Sequence, residues 1–178
     1  FYAPNNATLV IAGDVDAAEI RPIVERTFGQ IPAQPSIAPR RLRPQEPVPT
    51  APRTVTLADP NVQQTMLRRY YLVPSATTAS PQESAALDVL AQLMGSGSNS
   101  KLYRALVVDR SLAVSASAGY QGTALDPTQF MISAAPKPGV NFADTEAAID
   151  GVIADMQQNP VSAENLERAK TQLIAEAI

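Results

Sequence analysis

The chain has 178 residues, 45% of them hydrophobic, and a formal net charge of −3 from 14 Lys and Arg against 17 Asp and Glu. It contains no histidine and no cysteine, which excludes a Ser-His-Asp network, a Cys-His pair, the usual zinc ligand sets and any disulfide framework. The length suits one domain with a real core, the acidic balance without a basic run argues against nucleic acid, and no apolar run approaches the roughly 20 residues of a membrane span.

Thr8 to Gly13 is a short apolar run closed by Gly13-Asp14 and predicts a buried strand. Asp16 with Glu19 three residues later resembles a capping box, and Ile20, Ile23, Val24 and Phe28 follow at helical spacing up to Gly29. Pro22 lies inside that pattern and is expected to kink the helix or delay its start. Residues 30–52 carry seven prolines, a density that neither a helix nor an inner strand tolerates, and read as an extended, partly polyproline-like crossing segment, either a domain linker or a Pro-rich connection inside one domain. Arg53 to Asp59 alternates as a strand, Asp59-Pro60-Asn61 is a turn, and Val62 to Val73 is a longer strand. In that strand Leu67, Tyr71 and Val73 share one side, while Tyr70 and Leu72 add apolar character to the other.

Ser80-Pro81-Gln82-Glu83 is a helix start, with an N-cap serine, proline at the first helical position and glutamate at the third. Ala86, Leu87, Leu90, Leu93 and Met94 make its apolar stripe, and Gly95 ends it. After the small-residue loop Gly95 to Ser100, a second helix is expected from Lys101 to about Asp109 with Leu102, Leu106 and Val107 inward. Leu112 to Tyr120 and Thr128 to Ala135 read as strands of a hairpin. Two helices close the chain, one with Ile149, Val152, Ile153 and Met156 on one face, the other capped by Ser162 with Leu166, Ala169, Leu173 and Ala177 aligned. Mixed element order with hairpin connections predicts an α+β fold, a mainly antiparallel sheet with helices packed on one face.

Three constellations carry potential chemistry. The loop before Lys101 superficially resembles a phosphate-binding loop, but Ser100 stands at the glycine position, Leu102 at the hydroxyl position, and a helix rather than a strand precedes it. Glu146 with Asp150, and Glu164 with Glu167, are carboxylates spaced on helix faces, where solvated charge is the ordinary reading. Arg68 and Arg69 offer a guanidinium for a carboxylate, and one of two adjacent strand arginines normally faces solvent.

The run Leu93-Met94-Gly95, then Ser98-Asn99-Ser100-Lys101-Leu102-Tyr103-Arg104-Ala105-Leu106-Val107 and on to Leu112-Ala113, resembles the second, non-zinc-binding lobe of the pitrilysin or insulinase zinc peptidases. Tyr2 to Ala7 leading into Leu9 to Val15, Phe28-Gly29, and Val161-Ser162 with Glu164, Leu166, Ala169 and Lys170 agree with that lobe in order and spacing. The resemblance covers nearly the whole chain. It implies a clamshell metallopeptidase whose other lobe carries His-x-x-Glu-His and the zinc, so this lobe needs no cofactor and supplies no catalytic or metal-binding residue. An arginine and a tyrosine seven residues apart contact substrate in lobes that face the zinc; Val107 and Val114 stand there in this chain, so that role does not carry over.

The resemblance therefore implies a single α+β lobe over 1–178, with a zinc-bearing N-terminal lobe of the same chain, a second subunit bearing the Arg/Tyr pair, and a peptide substrate as partners. Ser98, Asn99, Ser100, Lys101, Tyr103 and Arg104 are the candidate substrate- or partner-contact residues. The start at Phe1 and the amphipathic pattern running to Ile178 read as a segment of a longer protein, and the family implies a bacterial periplasmic or membrane-associated setting. Two other readings are a non-catalytic scaffold lobe of a peptidase-like protein and an anion-binding module at residues 95–101.

Overall fold

Apolar stripes of period 3.6 and alternations of period 2 settle into five α-helices and three strands in the computed structural model, which describes residues 3–37 and 47–177. The chain divides into two compact units, Phe1–Val55 and Thr56–Ile178.

In the first unit, a 3-10 turn at Pro4–Asn6 precedes helix α1, Ala17–Thr27. The Asp16 carboxylate accepts from the Ala18 amide at 2.7 Å, as the capping pattern predicts. Pro22 does not delay the helix: α1 starts at Ala17 and runs through it. Proline at this sixth position removes only the bond to the Ala18 carbonyl, and the cap and the Arg21–Glu25 pair support the turns on either side. The Asn5 side-chain amide donates to the Gln34 carbonyl and accepts from the Gln34 amide, both at 3.1 Å, tying the first turn to the start of the Pro-rich stretch. Within that stretch the described parts hold neither helix nor strand beyond a 3-10 turn ending at Gln30, while Pro39 and Pro44 lie outside the described residues.

Two predicted strands do not form among the described residues. Residues 8–13 and 53–59 have no ladder partner, and their apolar side chains are exposed, Val10 by 81% and Val55 by 92%. An apolar run or an alternating sequence supplies a face, but a strand exists only once another backbone takes its amides. The Asp59 turn forms, with its carboxylate accepting from the Asn61 amide at 2.8 Å.

The second unit is a three-stranded antiparallel sheet of order β1-β3-β2, with β1 at Leu67–Val73, β2 at Ala113–Tyr120 and β3 at Thr128–Pro136. The predicted strand from Val62 is shortened at its start to Leu67. Register pairs Leu67 with Ala134 and Val73 with Thr128, and Ala116 with Ala134, so Phe130, Ile132 and Ala134 share the buried face with Ala116 and Ala118. A bulge between Ala113 and Ser115 leaves Val114 exposed. On the opposite face Tyr70 and Leu72 are more than half exposed. Only the helix-covered face forms a core, as the α+β reading requires.

Helices α2 (Pro81–Gly95), α3 (Lys101–Tyr103), α4 (Phe142–Gln158) and α5 (Ala163–Glu176) belong to this unit. Ser80 and Ser162 cap α2 and α5 as predicted, accepting from the amides of Glu83 at 3.2 Å and Asn165 at 3.3 Å. The expected second helix forms as one α turn that widens into a π segment at Arg104–Asp109, with Leu102 and Leu106 fully buried and Val107 partly so. Ile149, Val152 and Met94 join these leucines and the sheet residues in one cluster.

Asn141 is a cap the sequence reading left unnamed. Its side chain accepts from the Asp144 amide at 2.7 Å, and its carbonyl takes the buried Thr145 hydroxyl at 3.2 Å. Asn141→Ala is expected to lower stability by about 1 kcal/mol, with the melting temperature dropping by a few degrees in a thermal denaturation series.

Candidate functional site

The six candidate contact residues follow the C-terminus of α2. Gly97 adopts φ +73°, a left-handed conformation that glycine takes without steric cost, and the chain then turns at Ser98-Asn99. The buried Ser100 closes the turn, donating its hydroxyl to the Gly97 carbonyl at 2.8 Å while its own carbonyl accepts from the Arg104 amide. Ser100 is therefore a structural turn residue, and Ser98 and Asn99 are exposed at the tip.

Ser98, Asn99, Ser100 and Lys101 line one cavity of about 280 Å³, together with Gln92, Asn165, Arg168 and Gln172. Tyr103 and Arg104 are not part of it: Tyr103 is half-buried, and Arg104 lies 3.8 Å from Asp109. Lys101 donates to Asp155 Oδ2 at 3.1 Å. The Asn159 amide, donating at 2.8 Å, and then Lys101 hold the Asp155 carboxyl below the usual carboxylate range. Arg168, contributed by α5, has no ion-pair partner among the described residues. Sequence reasoning missed Asn165, Arg168 and Gln172 because they sit on a helix surface some 65 positions further on, and only packing of α5 against α2 brings them to the loop.

A larger groove of about 660 Å³ adjoins the cavity and shares Leu93, Met156 and Val161 with it. Its walls are mainly apolar residues of α2, α4 and α5, among them Val89, Leu90, Ile153 and Leu166.

The other constellations resolve structurally. Arg69 projects to α4, donating from Nη1 to Asp150 Oδ1 and from Nη2 to Oδ2 at 3.4 Å, with Glu146 at 3.9 Å. The Glu146 and Asp150 carboxylates thus flank a strand guanidinium, and Arg68 faces solvent. The Asp150 hydrogen bond raises the Arg69 pKa further, and the same bond depresses the Asp150 carboxyl. Glu167 pairs with Lys170 at 2.8 Å. Val107 and Val114 have apolar side chains, the former packed against the core and the latter exposed on β2, and neither can replace an Arg/Tyr pair. Among the described residues no three Asp or Glu side chains are grouped to hold a metal ion.

Because the Asp150 pKa is lowered in the folded state, its contribution to stability is present above the ordinary carboxylate pKa and disappears as pH falls through the depressed value. Arg69 stays protonated throughout. The Asp150 side chain is 62% exposed, so solvent screening keeps the effect to no more than about 1 kcal/mol. Asp150→Asn is expected to cost that much at pH 7 and nothing once the pH lies below the depressed pKa, measured as urea midpoints across an acid titration.

A family model described as the peptidase M16 inactive domain matches residues 1–173. The zinc protease PqqE of Helicobacter pylori is 23% identical over 170 residues, which are 96% of this chain and 37% of that protein. A solved protease from Helicobacter pylori superposes with a TM-score of 0.71 at 22% identity, covering 92% of this chain and 39% of that one. A solved peptidase M16 inactive domain from Pseudomonas fluorescens gives a TM-score of 0.59 at 20% identity, covering 93% and 38%. The chain spans less than two fifths of the length of each of these relatives.

Proposed function

This chain belongs to the peptidase M16 inactive-domain family, and on that premise we propose that it is the C-terminal lobe of a zinc metallopeptidase. In this reading residues 1–178 act as one α+β lobe that walls a peptide-holding cleft and docks a zinc-bearing N-terminal lobe of the same protein. A second subunit supplies the Arg/Tyr pair that Val107 and Val114 replace here. Ser98, Asn99, Lys101, Tyr103 and Arg104 are the contact residues toward peptide or partner, with Ser100 fixing the turn that presents them.

The observation that carries the proposal is a family match over almost the entire length of a chain that has no histidine and no cysteine. A catalytic zinc takes three protein ligands and keeps an open position for water. This chain has only carboxylates to offer, and one spaced pair of them, Glu146 and Asp150, is engaged by Arg69. Its residues do not fit the metal, so the zinc and every bond-breaking step are assigned to the other lobe.

The test compares this segment with the full-length protein for zinc content and peptide cleavage. The segment alone is expected to bind no stoichiometric zinc and to cleave nothing, while the full-length protein does both. Tight zinc or turnover in the isolated segment sinks the proposal. A full-length protein without zinc or turnover sinks it too, in favour of a non-catalytic scaffold.

A further inference from the structure

Beyond the cleft wall, and resting on the peptidase reading for the class of ligand, the geometry points to a recognition subsite for the free C-terminus of a peptide whose last residues are apolar. Two adjoining features make it: the cationic cavity between the 96–100 loop and α5, and the apolar groove between α2, α4 and α5 that shares Leu93, Met156 and Val161 with it.

The charge balance selects the ligand's head. Lys101 is offset by Asp155 at 3.1 Å, whereas Arg168 lines the same cavity with no ion-pair partner among the described residues. A guanidinium presents a planar fork of donors that a carboxylate accepts in parallel, so a single carboxylate satisfies it. The side-chain amides of Asn99 and Asn165 line the same space and offer further donors.

The groove selects what is attached to the head. Because the two spaces adjoin across Leu93, Met156 and Val161, a ligand that fills both joins its anion within a few bonds to apolar groups. A C-terminal peptide residue has that constitution: its carboxylate and its side chain leave the same carbon. The groove's 660 Å³ exceeds one side chain and lies in the usual range for ligand sites, so the preceding apolar residue enters as well. An internal apolar segment without Asp or Glu brings no carboxylate and leaves Arg168 unmatched. The subsite therefore reads chain ends, and it lies entirely within residues 56–178.

The test uses the full-length protein with its zinc removed by chelation, so that the probe stays intact. A fluorescent pentapeptide ending in Val-Leu is titrated as the free acid and as the C-terminal amide, and binding is read by anisotropy. The acid is expected to bind at least about tenfold more tightly, the range of a hydrogen bond to a charged group. Arg168→Gln is expected to abolish the difference between acid and amide, and Val89→Asn to weaken both; circular dichroism establishes that each variant is folded. Equal binding of acid and amide overturns the subsite, as does a preference that survives Arg168→Gln. Dodecanoate displacing the probe at concentrations where the unlabelled acid peptide does not overturns the peptide assignment. The acid-to-amide ratio is independent of turnover: loss of cleavage with an intact ratio sinks only the peptidase reading, and equal binding with intact cleavage sinks only the subsite.

Discussion

Gly95→Ala is expected to destabilise the protein by about 3 kcal/mol or more, at or above the upper end of ordinary overpacking. A β-carbon at this last residue of α2 would stand 1.7 Å from the Ala118 amide nitrogen and 2.5 Å from its Cα. Both atoms belong to the backbone of β2, which is held by its ladder to β3, so nothing soft is available to yield. For a domain of this length that loss corresponds to a fall in melting temperature of about 6–12 °C. Ala118→Gly should not rescue the variant, because the nitrogen and Cα remain after the side chain is removed. Gly97→Ala provides the contrast. No atom lies within 4 Å of its would-be β-carbon, and its cost is only the roughly 1–2 kcal/mol of a left-handed backbone at φ +73°. If thermal melts place Gly95→Ala above Gly97→Ala, the close helix-to-strand approach described here is wrong.

Leu106→Ala is expected to cost about 2–5 kcal/mol, the transfer term for the lost atoms plus the cavity left behind. Leu106 is fully buried in the π segment, beside Leu102, in the cluster that joins α2, α4 and the sheet. Its carbonyl also accepts from the Leu112 amide at 2.8 Å, and Arg110 donates to the Ala105 carbonyl, so the wide turn is pinned where the chain leaves for β2. The widening lets Leu106 stay inward while Val108, Asp109 and Arg110 remain exposed. Val108→Ala, at a position 47% exposed, is therefore expected to change stability by less than about 0.5 kcal/mol. Urea denaturation of the two variants checks both values, and equal midpoints would refute the placement of the π segment.

Where a signal is local, the sequence was legible. Ser80 and Ser162 cap the helices their spacing announces, because a hydroxyl reaching an amide three residues on needs no tertiary partner. The hairpin of β2 and β3 and the buried stripe of Leu102 and Leu106 follow likewise from short-range pattern. Residues 8–13 and 53–59 were misread for the opposite reason. The apolar run of the first and the alternation of the second are real, but a strand is a relation between two backbones, and the described residues provide no second one. Gly95 was legible as a helix end, yet its actual constraint is contact with Ala118, 23 positions away. Of the candidate site, the loop from Ser98 to Lys101 was found from resemblance, while Arg168 and the groove were invisible until α5 was placed.

By itself the sequence determined what this protein lacks and what its segments prefer. A chain without imidazole or thiolate has no ordinary means of holding a catalytic zinc, whatever its fold. Its caps and apolar periods fix which stretches coil into helices. Tertiary structure alone decided which charges are matched: Arg69 with Asp150 across 81 positions, Lys101 with Asp155 across 54, and Arg168 left over beside an apolar groove. Those outcomes depend on distances of a few ångströms between elements remote in the chain, and Coulomb and hydrogen-bond energies are set by such distances rather than by residue order.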